Sequence, residues 1–411
     1  MQAANQKLLK KELESLLSTT AISERDLDAL RTAPFETPQG IEEIEATLAT
    51  LYKAMIKIDP AIGNNSESRK SEDESGQSLG LGNSDYGKMR IVQEKKEMYM
   101  SESRQFMRRL VEFMAYRFDE AFRATKAALD GALSKKVDPR NHDAGRDMLW
   151  MYSPLVLYAR DMDHGNWKLI LQVYQDKSSP IYRVEFRDAM EAWKKNARKP
   201  TGEESELLFT AQQERKEEGL ATTARKLTVK RSQTLARSLR SPLSGDRDGM
   251  GSSRTNLADR SPTDGGARAV PYEVFAGVLD DLLPLVEMEQ NFIIDFFHAT
   301  TLEQADFLDL VAASRPGDRR GGDLKRHRLM EPDRDLARII TQAMGSIFNF
   351  LEQNLQQLVD WVLSMDPLYV FSLVFTRVDV SFTDCFTDKE LVFLLPWSAK
   401  WQTSASQTRI S

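Results

Sequence analysis

The stretch "GVLDDLLPLVEMEQNFIIDFFHATTLEQADF", residues 277–307, decides how the whole chain is read. It holds Asp280, Asp281, Glu287, Glu289 and Asp295, then His298, within a dense apolar run. Acids beside a histidine suit acid–base catalysis, yet the spacing points elsewhere. Leu279, Leu282, Val286, Glu289, Ile293 and Phe296 recur at alternating intervals of three and four. Leu283, Leu285, Phe292 and Phe297 widen that stripe, which predicts a helix enclosed by several neighbours. Asp280, Asp281, Glu287 and Asp295 fall mostly outside the stripe and are expected in solvent. Glu289 lies on it, with no His, Cys or second acid one turn away. A general base needs such a partner within reach, so Glu289 is expected to pair with an arginine or with backbone from another helix. His298, next to two phenylalanines, reads as a core or interface histidine. Pro284 is expected to kink the helix.

Helical spacing recurs on both sides of this stretch. Upstream, Ile41, Ile44, Leu48, Leu51, Tyr52, Met55 and Ile58 predict a helix ended by Asp59-Pro60, after a break at "APFETPQG". From Lys88 to about Leu133, Leu110, Met114, Arg117, Ala121 and Ala128 mark a helix of roughly 65 Å. That is longer than a globular diameter, so it belongs to a rod or bundle. Asp138-Pro139 reads as a cap with proline in the first turn. Helices are expected over 143–161 and 166–199, the second kinked or split at Pro180. Downstream, Leu336, Ile340, Ile347, Leu351, Leu355, Leu358 and Val362 predict one long helix from Pro332 to Met365. The fold class expected is all-α. The faces on 271–300 and 332–365 should bury against each other and against the first block. The expected packing positions are Leu279, Leu282, Val286, Ile293, Phe296, Ile340, Ile347 and Leu351.

Composition sets outer limits. The chain has 411 residues, 41% of them apolar, enough for sizeable cores. Its single cysteine, Cys385, excludes an internal disulfide and an all-cysteine zinc site. The N-terminus lacks the apolar core of a secretory signal, and no apolar run approaches the length of a spanning helix. Six segments follow: a helical segment (1–62), a polar loop expected to be disordered (63–87), a first bundle (88–199), a basic Ser/Thr-rich linker (200–270), a second bundle (271–368) and an atypical tail (369–411). Net charge is −6, but residues 219–270 carry ten Lys or Arg against four Asp, leaving −12 for the remainder.

Other candidate chemistry is sparse. The four histidines, at 142, 164, 298 and 327, form no metal-binding spacing. "GLGNSDYG" and "GMGSS" lack the flanking strand and the lysine of a phosphate loop. No catalytic residue, cofactor or metal is expected. The basic run is more informative: Arg225, Lys226, Lys230, Arg231, Arg237 and Arg240 are interleaved with leucines and a valine, without an acid. Near an anionic membrane each basic residue contributes about 1 kcal/mol; Ser241-Pro242 and Ser261-Pro262 are candidate phosphosites that would cancel this charge. The rival reading, a nucleic-acid-associated helical protein, would use 225–240 with 315–328, but aromatic stacking residues are missing from the basic run. A GTPase-activating domain would need an arginine finger, for which Arg146 and Arg160 are the candidates.

Several collinear blocks carry a family resemblance: "MRIVQEKKEMYMSES" (89–103), "DPRNHDAGRDMLWMYSPLVLYARDMD" (138–163), "TARKLTVKRSQTLARSLRSPL" and "PYEVFAGVLDDLLPLVEMEQNFIIDFFHATT". From about Ala3 to Pro367 the chain resembles the Sec-three subunits of the exocyst, in their fungal form. The resemblance implies an elongated rod of antiparallel helical bundles in a complex that holds secretory vesicles at the plasma membrane before SNARE-driven fusion. It implies no enzymatic activity, other exocyst subunits as partners with Sec-five foremost, and a cytoplasmic location peripheral to the plasma membrane at sites of polarised secretion. The family's phosphoinositide- and GTPase-binding domain has no counterpart here, nor does most of its upstream coiled coil. Near Tyr369 the pattern ends in a stretch rich in Phe, Val and Thr. Such a tail is expected from a mis-spliced message, or as a short β-prone extension.

Overall fold

The computed structural model describes residues 22–59, 90–132, 137–199, 268–302, 306–326, 328–329 and 331–365. Local chemistry sets where each helix starts. The Ser23 side chain accepts the Asp26 amide, and the Asp26 carboxylate accepts the Ser23 amide, opening α1 (Glu24–Leu27). This reciprocal box satisfies two orphan donors. α2 (Ala29–Thr32) follows. The prolines of "APFETPQG" then serve a start as well as a break. Thr37 accepts the Gly40 amide and Pro38 fills the first turn of α3 (Pro38–Ile58), where its missing N–H is no loss.

α4 (Arg90–Gly131) is one uninterrupted helix of 42 residues, about 63 Å long. Tyr99, Phe106, Met107, Leu110, Met114, Phe118 and Ala121 line its buried side. Asp138 accepts the Arg140 amide and caps a 3-10 turn, Pro139–His142. The helix expected over 143–161 is in fact three pieces: α5 (Asp143–Arg146), a 3-10 turn (Trp150–Tyr152) and α6 (Ser153–Met162). Pro154 cannot donate to a preceding turn, so it sits only in a first turn and the helix restarts around it. α7 (His164–Lys195) runs through Pro180 without splitting. The proline is solvent-exposed, while Tyr174, Tyr182 and Phe186 on either side are buried and hold both halves to the same neighbours.

α8 (Pro271–Phe296) is the stretch whose stripe fixed the helical reading, and it too is continuous through its exposed Pro284. Its end departs from the expected glycine. His298 takes the left-handed conformation, φ 53°, and the Ala299 amide reaches back to the Ile294 carbonyl at 3.0 Å. That bond closes a Schellman-type cap. α9 (Phe307–Ala313) lies beyond. The long helix expected over 332–365 is broken into α10 (Arg334–Ile347) and α11 (Leu351–Met365). Phe348 and Phe350 both pack on Phe186, at 5.6 and 5.5 Å between ring centres. Residues two apart point to different sides of a helix, so both rings meet α7 only if the helix gives way.

Trp167 Nε1 donates to the Phe297 carbonyl at 3.0 Å, and Trp193 Nε1 donates to Asp281 at 2.8 Å. α7 and α8 therefore run antiparallel. A β-carbon on Gly277 would lie 2.4 Å from the Trp193 ring, so the indole rests directly on the α8 backbone. One continuous apolar cluster joins side chains from before and after residues 200–267. The chain leaves and returns at one point: Arg198 N donates to Ala269 O at 2.8 Å, and Ala269 N donates to Asn196 O at 3.1 Å. Among the described residues this Ala197–Ala269 bridge is the sole β pairing, and no helix is long and apolar enough to cross a membrane.

Candidate functional site

Glu289 is fully buried where α5, α7 and α8 meet. Three donors converge on its carboxylate. Tyr174 Oη donates to Oε1 at 2.7 Å, while Tyr182 Oη and Arg146 Nη2 donate to Oε2 at 2.6 and 2.9 Å. Burial opposes the charge on Arg146, but the fields of Tyr182 and Glu289 outweigh it and raise its pKa. Burial, then Glu289, pushes both tyrosines well above the usual phenol range. His142 stacks on Tyr182 at 4.8 Å and bonds Glu185 at 2.7 Å. The adjoining cavity is about the size of one water molecule. Three fixed donors hold the carboxylate and the cavity beside it has no room for a substrate, so the cluster is a structural lock. Arg146 is 4% exposed and held within it, and so cannot serve as an arginine finger.

His298 and Arg160 form a second inward-facing group. The ring Nε2 lies 3.1 Å from the Ser153 carbonyl, which can only accept, so Nε2 carries the proton; Ser153 Oγ is 2.9 Å away. Burial, with Arg160 nearby, lowers the His298 pKa to about 4. Arg160 donates to the His298 carbonyl at 2.6 Å and pairs with Asp161 at 2.9 Å. It is 8% exposed and is likewise held inside the fold.

A third group, Glu45 with Arg319, was not foreseen from sequence. Arg319 Nη1 and Nη2 bind the two Glu45 oxygens at 2.6 and 2.8 Å, and also reach the Met151 and Ser314 carbonyls. Burial raises the Glu45 pKa, and the Arg319 hydrogen bond works against that. The signal lay in α3, where Glu45 interrupts the Ile41, Ile44, Leu48 stripe. The acids on α8 also differ from expectation: Asp281 accepts from Trp193, and Asp295 is ion-paired with Arg328. With Arg319 and Arg328 turned inward, the 315–328 half of the nucleic-acid reading loses two of its basic groups.

Of the packing positions named from sequence, Ile293, Phe296 and Ile347 are wholly buried, and Leu282, Val286, Ile340 and Leu351 nearly so; Leu279 is half-buried. Arg225, Lys226, Lys230, Arg231, Arg237, Arg240, Ser241 and Ser261 lie outside the described residues, as do the 63–87 loop and the tail. Among the described residues no three His, Cys, Asp or Glu side chains gather to hold a metal ion.

Two family profiles match the chain: "exocyst complex component Sec-three, coiled-coil" over residues 1–57, and "exocyst complex component Sec-three, C-terminal" over residues 296–380. The second reaches past Tyr369, so the family pattern does not stop where the composition changes. Mouse "Exocyst complex component 1" is 30% identical over 247 residues, which cover 56% of this chain and 26% of that protein. The chain therefore spans about a quarter of the curated relative it matches. No solved structure matches it. Two profiles of one subunit near opposite ends, and a relative of the same subunit, lead to one conclusion: the chain is similar to the exocyst Sec-three family.

Proposed function

We propose that this chain is a non-enzymatic scaffold segment of an exocyst-type assembly, working by helix-to-helix contact with other subunits. The observation that carries the reading is the pair of Sec-three matches on one helical chain. The locked state of Glu289, Arg146 and Arg160 supports it, because the groups best suited to catalysis are spent on holding helices together. In this reading the rod helps to hold secretory vesicles at the plasma membrane before fusion. Sec-five is the partner proposed first, the location is cytoplasmic and peripheral to the plasma membrane, and the basic linker contacts anionic lipid. Affinity purification of the tagged chain, followed by mass spectrometry, tests this. Recovery of several other exocyst subunits is expected, and their absence from a well-expressed bait refutes the proposal.

A further inference from the structure

The Glu289 cluster leaves one charged donor without a protein acceptor. Arg146 spends Nη2 on Tyr182 and Glu289. Its Nη1 is buried and makes no hydrogen bond to protein. Asp143, three residues earlier, holds its Oδ1 3.8 Å from Nη1, beyond hydrogen-bond range. A buried donor of this kind is costly unless something accepts from it. The cavity beside the cluster is lined by Arg146, Gly145, Ala121 and Thr125 among others, and has about the size of one water molecule. We propose that this cavity is a binding site for a single ordered water, held by Arg146 Nη1 on α5 and by two oxygen atoms of α4.

Three observations select water as the ligand. First, partners: a buried water makes about three hydrogen bonds, and the walls offer that many. A β-carbon on Gly145 would lie 2.3 Å from Thr125 Oγ1 and 2.5 Å from the Ala121 carbonyl oxygen, so both oxygens press against the α5 backbone one residue from Arg146. A carbonyl already bonded within its own helix keeps a second lone pair. The water accepts from Nη1 and donates to these two oxygens. Second, charge: Arg146 is balanced by Glu289 at 2.9 Å. A bound anion would meet that carboxylate and a bound cation would meet the guanidinium, whereas a neutral ligand that both donates and accepts suits the pair. Third, room: the space admits nothing larger than water. The water gives α4 a directional bond to a cluster on which Phe118 and Phe122 rest only as rings, 5.2 and 5.3 Å from Tyr174. The inference goes beyond the assembly role and stands without it.

The test is a crystal structure of the full chain at a resolution that shows ordered solvent. One isolated density peak is expected about 2.7–3.2 Å from Arg146 Nη1, within the same reach of Thr125 Oγ1 or the Ala121 carbonyl. No peak, a peak that refines as a heavier ion, or Asp143 swung onto Nη1 in its place would each overturn the proposal. Thr125→Ile in the full chain gives an independent reading in solution, because its side chain fills the space and carries no hydroxyl. Oxygen-17 relaxation dispersion should then count one long-lived internal water fewer than in the unmodified chain; an equal count in a folded variant would overturn the proposal as well.

Discussion

Glu289 and Arg146 show what a charge costs inside a helical bundle. Each is buried, and each is tolerable only because the other is present, with two tyrosine hydroxyls completing the carboxylate's hydrogen bonds. Breaking a buried pair on one side costs about 3–5 kcal/mol, whereas replacing both with apolar groups is close to neutral. Glu289→Leu should therefore lose about 3–5 kcal/mol in denaturant unfolding, and Arg146→Met/Glu289→Leu should recover part of it, the Tyr174 and Tyr182 hydroxyls still lacking their acceptor. A double variant as unstable as the single one would show that the pair itself supplies net stability. His298 gives a pH prediction of defined sign. Its folded pKa is depressed to about 4, so between that value and the ordinary 6.5 the unfolded chain binds the extra proton. Its contribution is complete above about 6.5 and declines as pH falls towards 4. His298→Asn, which keeps access to the left-handed backbone, should flatten that region of the stability curve. Thermal unfolding from pH 7 to 4 measures both chains.

At the scale of the helix, the same features separate what could be read in advance from what could not. α3, α4 and α8 were legible because each carries a periodic apolar stripe long enough to fix its phase, and Glu289 stood out against such a stripe. The breaks were not legible. The gap between α10 and α11 depends on Phe348 and Phe350 both finding Phe186, a residue far away in sequence and on another helix. Continuity through Pro180 and Pro284 likewise depends on neighbours that hold both halves. Local propensity cannot register a partner 274 positions distant, as Arg319 is from Glu45. Gly277 sharpens the contrast between local and tertiary effects. In an exposed helix, Gly→Ala adds about 1 kcal/mol of stability; here the new methyl meets the Trp193 ring at 2.4 Å. Gly277→Ala is expected to destabilise by about 1–3 kcal/mol, the usual penalty of overpacking. Denaturant unfolding measures it, and a gain in stability would show that the indole can swing aside.

For the whole molecule, the governing feature is a core built from both sides of residues 200–267. The roughly seventy residues between are closed at their base by the Ala197–Ala269 bridge, so the core should not need their length. Replacing 201–266 with six Gly/Ser residues shortens the loop closed by that bridge by between two and three doublings, and each doubling costs about 0.6 kcal/mol. The shortened chain should be more stable by roughly 2 kcal/mol in denaturant; failure to fold would show that the segment supplies packing. The same segment carries the lipid prediction. Reversing Arg225, Lys226, Lys230, Arg231, Arg237 and Arg240 to Glu should abolish sedimentation with phosphatidylserine vesicles, at about 1 kcal/mol per basic residue. Unchanged sedimentation would place any membrane contact elsewhere.

The bridge at the base of that segment also fixes how load would enter the protein. A pull on the segment reaches the body at two neighbouring residues, so the backbone bonds there open in succession, as a zipper does, before the helices behind them bear load.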